Sequence, residues 1–266
     1  MKNILVYSGE GVSAYFLRHV VRYLNRNISH FSEEISVNRV NDSYLKDNPF
    51  WEESAVLLVM PGGADRPYHR RLSGRGTSRI RGFVEGGGSY LGICAGAYFA
   101  SAFVYFEETE PKKNIIDEAR DLRFFPGTAV GPAYGGGFSY HDFRGVRPAF
   151  LELQTTLAGT KTVFSSLFHG GCYFDKADKF PGIVVEGRYS DIEGSPAAII
   201  SAKIGAGSVV LSGVHFEYQP DLCRIRDPHV QKTKEQIATP GNQGVLETFD
   251  RGLFSKLLER EGAPAL

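Results

Sequence analysis

The sequence predicts a doubly wound α/β fold: a mostly parallel sheet covered by helices, with a β-rich C-terminal extension. In the first hundred residues, short apolar segments alternate with amphipathic ones, as parallel strands alternate with helices. One of these segments, Ala55–Met60, is apolar throughout, which is typical of a strand covered on both faces. After Phe106 the pattern changes to glycine- and aromatic-rich segments with an apolar residue at every second position.

The parallel part begins with a strand and an amphipathic helix joined by a glycine turn. We expect its strands over residues 3–7, 35–40, 55–60 and from 89 to the turn that carries Cys94. We expect its helices over residues 13–25, 77–85 and 97–106. Ligands of such sheets bind at the carboxyl ends of the strands, where Cys94 and the Pro61-Gly62-Gly63 turn both fall.

The C-terminal extension is predicted to contain a hairpin and a final helix. Residues 197–203 and 207–211 form the hairpin, whose second strand leads to His215 and Glu217. The final amphipathic helix is expected over residues 243–261. No internal repeat, linker or low-complexity tract interrupts the pattern, so we expect a single domain over residues 1–266.

Composition narrows the class of ligand. Thirty basic and thirty acidic residues among 266 give no net charge that would attract nucleic acid or a membrane surface. Three cysteines without a C-x-x-C pair argue against a disulfide scaffold and a zinc site, and they favour a reducing cytoplasm. We therefore expect a small-molecule substrate or ligand, no cofactor and no metal, with a homodimer or a partner enzyme left open.

Cys94 has the sequence context of a nucleophile elbow. Gly92 and Gly96 flank it in the form G-x-C-x-G, which keeps the neighbours small at a sharp strand-to-helix turn. A helix that begins directly after Cys94 directs its positive end at the sulfur and favours the thiolate. The alternative is a small buried cysteine at a tight turn.

His215 and Glu217 lie two residues apart near the end of a predicted strand. Alternate strand residues share a face, so the carboxylate can fix the tautomer of the imidazole. Cysteine, histidine and carboxylate together are the parts of a thiolate acyl-transfer site. The alternative is a strand end with its polar residues in water.

Motifs spread over most of the chain resemble a known family. The PGG turn, GICAG and the late H-x-E are similar to the class I glutamine amidotransferase-like superfamily. A narrower resemblance, to the amidotransferase-like N-terminal domain of biotin protein ligases and its stand-alone relatives, is carried by VYSGEGVS, LLVMPGGADRPY, YLGICAGAYFAS, LRFFPGTAVGP, HGGCYF and GVHFE. The resemblance implies a flavodoxin-like sheet, with the ligase domain absent from this sequence.

The resemblance also implies roles for individual residues. Cys94 would be the nucleophile, His215 its base and Glu217 the orienting acid, and the oxyanion hole would be formed by the N–H groups of Gly62, Gly63 and Ala95. The elbow departs from glutamine-hydrolysing relatives, because it continues Ala97-Tyr98-Phe99 where they carry a histidine-glutamine pair. Ordinary glutaminase activity is therefore not expected.

Five further residues are candidates for substrate binding. Arg66 would hold a substrate carboxylate, although its basic segment also reads as a solvated helix face. Gly9 and Glu10 follow the first strand, where backbone N–H groups could bind an anion. The alternative is that these residues only form a turn. Cys172 and Tyr173 would line the same pocket, or belong to a packed β segment.

The sequence leaves two main functions open, and a third is a further alternative. The first is a cysteine-dependent hydrolase or transferase that acts on a C–N acyl bond of a small molecule. The second is a non-catalytic ligand-binding or regulatory module. The third, a redox or glyoxal-handling protein, requires Glu10 to lie close to Cys94.

Overall fold

The computed structural model describes residues 2–28, 34–108, 114–135, 137–154 and 162–258. Within these ranges, thirteen strands join in one sheet. The strands are β1 Lys2–Tyr7, β2 Ile35–Val40, β3 Ala55–Met60, β4 Ser89–Ile93, β5 Ser101–Glu108, β6 Asn114–Ala119, β7 Phe125–Gly131, β8 Arg147–Leu153, β9 Thr162–Phe168, β10 Tyr173–Phe174, β11 Ile183–Tyr189, β12 Ala197–Ile204 and β13 Gly207–Ser212. The helices are α1 Ala14–Ile28, α2 Asp42–Asp47, α3 Trp51–Ser54, α4 Asp65–Leu72, α5 Arg75–Glu85, α6 Ala95–Phe99, α7 Pro228–Ile237 and α8 Pro240–Leu258.

Five strands form the parallel part of the sheet, in the order β2-β1-β3-β4-β13. Successive residues of each strand point to opposite faces, so the strands are apolar on both. Helices α1 and α8 pack on one face, over Ile4 and Leu57, and α2 to α6 pack on the other, over Leu5 and Leu58. The predicted doubly wound α/β fold is confirmed.

The remaining strands form the β-rich extension. β12 pairs antiparallel with β13, and the path continues through β10 and β7 to β5 and β6. β5 and β7 are parallel, whereas β11, β8 and β9 form an antiparallel branch from β12. The predicted hairpin is present as β12 and β13, and β13 joins the extension to the parallel part by pairing with β4.

The predicted helix over residues 97–106 is wrong. Helix α6 ends at Phe99, and the chain continues as the strand β5 from Ser101. Burial along β5 is high at every second residue over much of its length, which is the strand period and outweighs the apolar composition that suggested a helix.

Other helices also differ from the sequence-based expectation. The expected helices do not include α2, α3 or α7, and α4 is expected only as the solvated helix face of a basic segment. Asp227 caps α7 through its side chain and Pro228 follows at the first helical position, a start signal present in the sequence. Helix α8 begins at Pro240, and its predicted end at residue 261 lies outside the described residues.

Across the described part of the chain, no helix combines the length and the apolar character needed to cross a membrane. The same residues contain no group of three or more His, Cys, Asp or Glu side chains arranged to hold a metal ion.

Candidate active site

Cys94 lies at the end of β4 in strained backbone. Its φ is 51° and its ψ is −105°, and its C=O accepts the first hydrogen bonds of α6. A Cβ at Gly96 would approach the carbonyl oxygen of Met60 to 2.0 Å, and one at Gly92 would approach that of Gly96 to 2.6 Å. Both flanking positions therefore require glycine, as the elbow pattern predicts.

His215 lies just after the end of a second strand, β13. The segment after β13 pairs with the end of β9 through a hydrogen bond from the His215 N–H to the carbonyl of Leu167, at 2.8 Å. Nδ1 of His215 lies 2.8 Å from Oε1 of Glu217, and both side chains are fully buried. The carboxylate therefore accepts the Nδ1 proton, which leaves Nε2 as the reactive nitrogen.

The electrostatics favour a charged imidazole. Burial opposes the imidazolium, but the Glu217 carboxylate and Cys94 outweigh it, and the pKa of His215 is raised to about 10. Cys94 lies close enough to His215 to contribute to this shift. In this conformer, however, Nε2 has no hydrogen-bond partner among the described residues, and Sγ of Cys94 donates to the His169 carbonyl at 3.7 Å. Redirecting the thiol toward Nε2 would form the pair.

The imidazole of His215 is enclosed by two further residues. The ring of Phe16, from α1, stacks on it with 3.7 Å between centroids and 10° between planes. On another side, a Cβ at Gly62 would approach Cε1 of His215 to 2.4 Å, so only glycine fits there. These contacts hold the ring in one orientation.

A cavity of about 210 Å³ opens at Cys94. Gly63 and Ala95 lie on its wall, and in the described part of the chain neither N–H group donates a hydrogen bond. Gly63 adopts a φ of 152°, where its missing Cβ lets the Gly11 carbonyl approach. The two N–H groups are thus not committed to another acceptor in the described structure.

Two polar groups on this wall were not identified from the sequence. The imidazole of His169 lines the cavity, and its Nε2 is buried without a partner in the described structure. Asp65 also lines the cavity and pairs with the fully buried Arg120, with 2.7 Å between Nε and Oδ2. The only sequence signal for His169 is its position in the HGGC segment. Arg120 lies in the predicted β extension, and no sequence signal identifies it.

The five residues predicted to bind substrate do not line the cavity. Arg66 pairs with Glu118 at 2.8 Å and its side chain is 54% exposed. Glu10 forms ion pairs with Arg70 and Arg71 at the surface, which places its charge there rather than on the cavity wall.

The other three predicted substrate-binding residues pack in the protein rather than on the cavity wall. Gly9 packs against the hydroxyl of Tyr7, to which a Cβ would come within 2.5 Å. Cys172 is fully buried in the core, where burial raises the pKa of its thiol, and Tyr173 pairs with Val130 in the sheet. The packed β segment is therefore the better description of residues 172–173.

Comparison with known proteins identifies the same architecture. A glutamine amidotransferase of Thermotoga maritima matches with a TM-score of 0.57 at 11% identity, over 97% of this chain and 99% of that one. A ThuA-like protein of Bacteroides uniformis matches with a TM-score of 0.54 at 11% identity, over 96% of this chain and 92% of that one. Identities this low support the fold alone.

Sequence comparison is more specific. An uncharacterized protein of Chlamydia muridarum (strain MoPn / Nigg) is 48% identical over 258 residues, covering 97% of this chain and 96% of its own length. The biotin–protein ligase of Schizosaccharomyces pombe is 35% identical over 237 residues, which are 88% of this chain and 36% of the ligase. The family described as "Biotin-protein ligase, N terminal" matches residues 2–252. The chain therefore belongs to the biotin-protein ligase N-terminal family, on the class I glutamine amidotransferase-like fold.

Proposed function

We propose that this protein is a cysteine-dependent hydrolase or transferase that acts on a C–N acyl bond of a small molecule. The supporting observation is the strained Cys94 on a cavity wall, next to an imidazole held by a buried carboxylate. A strained elbow presents the nucleophile, and the histidine and carboxylate activate it.

The proposed reaction proceeds in two halves. His215 takes the Cys94 proton, and the thiolate attacks the substrate carbonyl to form a tetrahedral oxyanion. The N–H groups of Gly63 and Ala95 stabilise the oxyanion, with Gly62 as a third candidate donor. The C–N bond breaks as His215 returns the proton to the leaving amine, and water, or an acceptor amine in a transferase, then releases the acyl group.

A non-catalytic binding or regulatory module is the second candidate. The hydrogen bond from Cys94 to the His169 carbonyl favours it, because a thiol in that state is not the nucleophile. The 35% identity to one part of a biotin–protein ligase is compatible with a module that acts on a partner enzyme. Under this function Cys94 would show no preferential reactivity toward electrophiles.

The two candidates are separated by the reactivity of Cys94. We expect an acyl-chloromethyl ketone or iodoacetamide to label Cys94 before Cys172 and Cys223, as located by peptide mass spectrometry. Cys94→Ala should abolish labelling at this site and any amide turnover while its thermal melting resembles wild type. Cys223→Ser is the matched control, since Cys223 lies outside the cavity wall. Amide turnover that survives Cys94→Ala would exclude the proposed mechanism.

A further inference from the structure

The cavity beside Cys94 has a mostly aromatic wall. Phe106 and Phe138 pack edge to face at 5.3 Å between centroids, and Phe138 packs on Tyr140 in the same way at 4.7 Å. Phe16 and Phe143 close other parts of the wall. Aromatic faces bind flat, apolar groups well, and a cavity of about 210 Å³ admits only a small one.

The charged groups on the wall are already paired. Asp65 binds Arg120, and Asp142 binds Arg144 with 2.7 Å between Oδ2 and Nε. In the described part of the chain, no lysine or arginine lines the cavity. The imidazolium of His215 does not line the cavity and is already balanced by its carboxylate partner. A ligand carboxylate would therefore lose its water, next to two carboxylates, without gaining an unpaired cation, which is unfavourable. A neutral ligand avoids this cost.

His169 supplies a polar group without a partner. Burial and the nearby His215 lower the pKa of His169 to about 4, so its imidazole is neutral at physiological pH. A hydrogen bond between His169 and the backbone of Asp142 raises the pKa of His169. This direction is the one expected when the imidazole N–H donates to a carbonyl oxygen. Nε2 is buried without a partner, so we assign that bond to Nδ1–H. Nε2 then holds a lone pair that no described group satisfies, on a residue that lines the cavity. A donor from the ligand would satisfy it.

We infer, on the basis of the proposed function, that the site takes small, flat, uncharged amides whose N–H or O–H group donates to Nε2 of His169, and that it excludes carboxylate-bearing amides such as glutamine. The amide itself supplies both the carbonyl that Cys94 attacks and the N–H donor. The aromatic wall holds the planar group attached to it.

The inference is tested by binding, without turnover. The probe is benzamide, titrated into Cys94→Ser by ligand-observed NMR, with benzoate as its isosteric anion, cyclohexanecarboxamide as its non-planar analogue and L-glutamine as the amino acid amide. We expect benzamide to bind at least about tenfold more tightly than each of the others, the difference that about 1.4 kcal/mol supplies. Equal or tighter binding of benzoate or L-glutamine, or no binding of benzamide, would overturn the inference.

The hydrogen bond to His169 is tested by two variants in the Cys94→Ser background. His169→Phe keeps a ring but removes the acceptor, and we expect benzamide affinity to fall about three- to tenfold, as for loss of one hydrogen bond. His169→Gln restores an acceptor oxygen and should recover part of the affinity. Unchanged affinity in His169→Phe would contradict the assigned contact, and near-UV circular dichroism checks that both variants fold.

The outcome also separates this inference from the proposed function. If benzamide binds selectively but the wild-type protein cleaves no amide, the ligand class stands and the catalytic proposal fails. If the wild-type protein hydrolyses L-glutamine in a Cys94-dependent manner, the catalytic proposal stands and the ligand class is wrong.

Discussion

Two histidines at the same site hold opposite protonation states. His215 faces Glu217 and Cys94, which raise its pKa to about 10 although burial opposes the charge. His169 is shifted by burial and by His215, and its pKa falls to about 4. At neutral pH one imidazole is therefore charged, and the other is a neutral hydrogen-bonding group.

The first prediction for a single residue concerns the charge of Glu217. Glu217→Gln removes the carboxylate that stabilises the imidazolium, while burial of the ring remains, so the pKa of His215 should fall. Cys94 then loses the positive charge beside it, and its alkylation by iodoacetamide at neutral pH should slow by at least about tenfold.

The measurement is the rate of Cys94 alkylation from acid to alkaline pH. Wild type should react faster than the variant around neutral pH. Glu53→Gln, at an exposed position of α3, is the control. Identical pH profiles for wild type and Glu217→Gln would show that the carboxylate does not act on the pair.

Single residues divide clearly between those that the sequence predicted and those it did not. Cys94, His215 and Glu217 stand in short motifs whose local geometry follows from strand period and glycine spacing, and the structure brings them together. Arg66 and Glu10 lie near the same strand ends, but ion pairs with Glu118 and with Arg70 and Arg71 hold their charges elsewhere. A local motif contains no information on such distant partners.

Among the elements, the elbow depends on close contact between α6 and β3. Gly96→Ala places a Cβ about where the Met60 carbonyl oxygen lies, so the helix must shift or the contact must open. We expect a loss of unfolding free energy of about 2 kcal/mol or more, measured by urea unfolding, together with slower labelling of Cys94.

Gly82→Ala is the matched control for Gly96→Ala. Gly82 lies in α5 with no atom within 4 Å of its added Cβ, so alanine should leave stability unchanged or raise it by about 0.5–1 kcal/mol through helix propensity. If both variants behave alike, steric contact at Gly96 is not what keeps the elbow in place.

Helices α1 and α8 are joined by a buried hydrogen bond from the hydroxyl of Tyr23 to Asp250. Burial raises the pKa of Asp250 to about 7, above the value of 3.8 expected in the unfolded chain. The native state therefore binds more protons between these two values, and its stability falls as pH rises from about 4 to 7.

Asp250→Asn keeps an acceptor for Tyr23 and removes this titration. We expect the variant to gain unfolding free energy relative to wild type between pH 5 and pH 8, by about 2 kcal/mol. Urea unfolding at both pH values measures the difference. A difference that is independent of pH would show that Asp250 is already ionised in the native state at pH 5.

Elements were predictable where one periodicity dominates. The first four strands of the parallel part, β1 to β4, and helix α1 have clear apolar patterns, and the structure places them within a few residues of the prediction. The segment after Cys94 is apolar at nearly every position, so helix and strand were not distinguishable there. Pairing of β5 with β6 and β7 determines its conformation, and those partners lie later in the chain.

At the scale of the whole molecule, the described strands form one continuous sheet in which β13 links the parallel part to the extension. We therefore predict one cooperative unfolding transition, which would agree with the single domain expected from the sequence. Trp51, the only tryptophan of the sequence, is buried in the parallel part, and Cys172 is buried in the extension.

These two residues report on the two parts separately. Trp51 fluorescence and pulsed alkylation of Cys172, resolved by peptide mass spectrometry, should give the same urea midpoint. Two separate midpoints would mean that the parallel part and the extension are independent folding units.

The sequence by itself determined the doubly wound sheet, the elbow at Cys94 and the side-by-side placement of His215 and Glu217, because each depends on spacing within a few residues. Only the tertiary structure placed Phe16 on His215, His169 on the cavity wall and Arg120 against Asp65. The Arg120–Asp65 pair joins residues 55 positions apart, and Phe16 and His215 lie about 200 positions apart. Such contacts arise from the order of strands in the sheet and from burial.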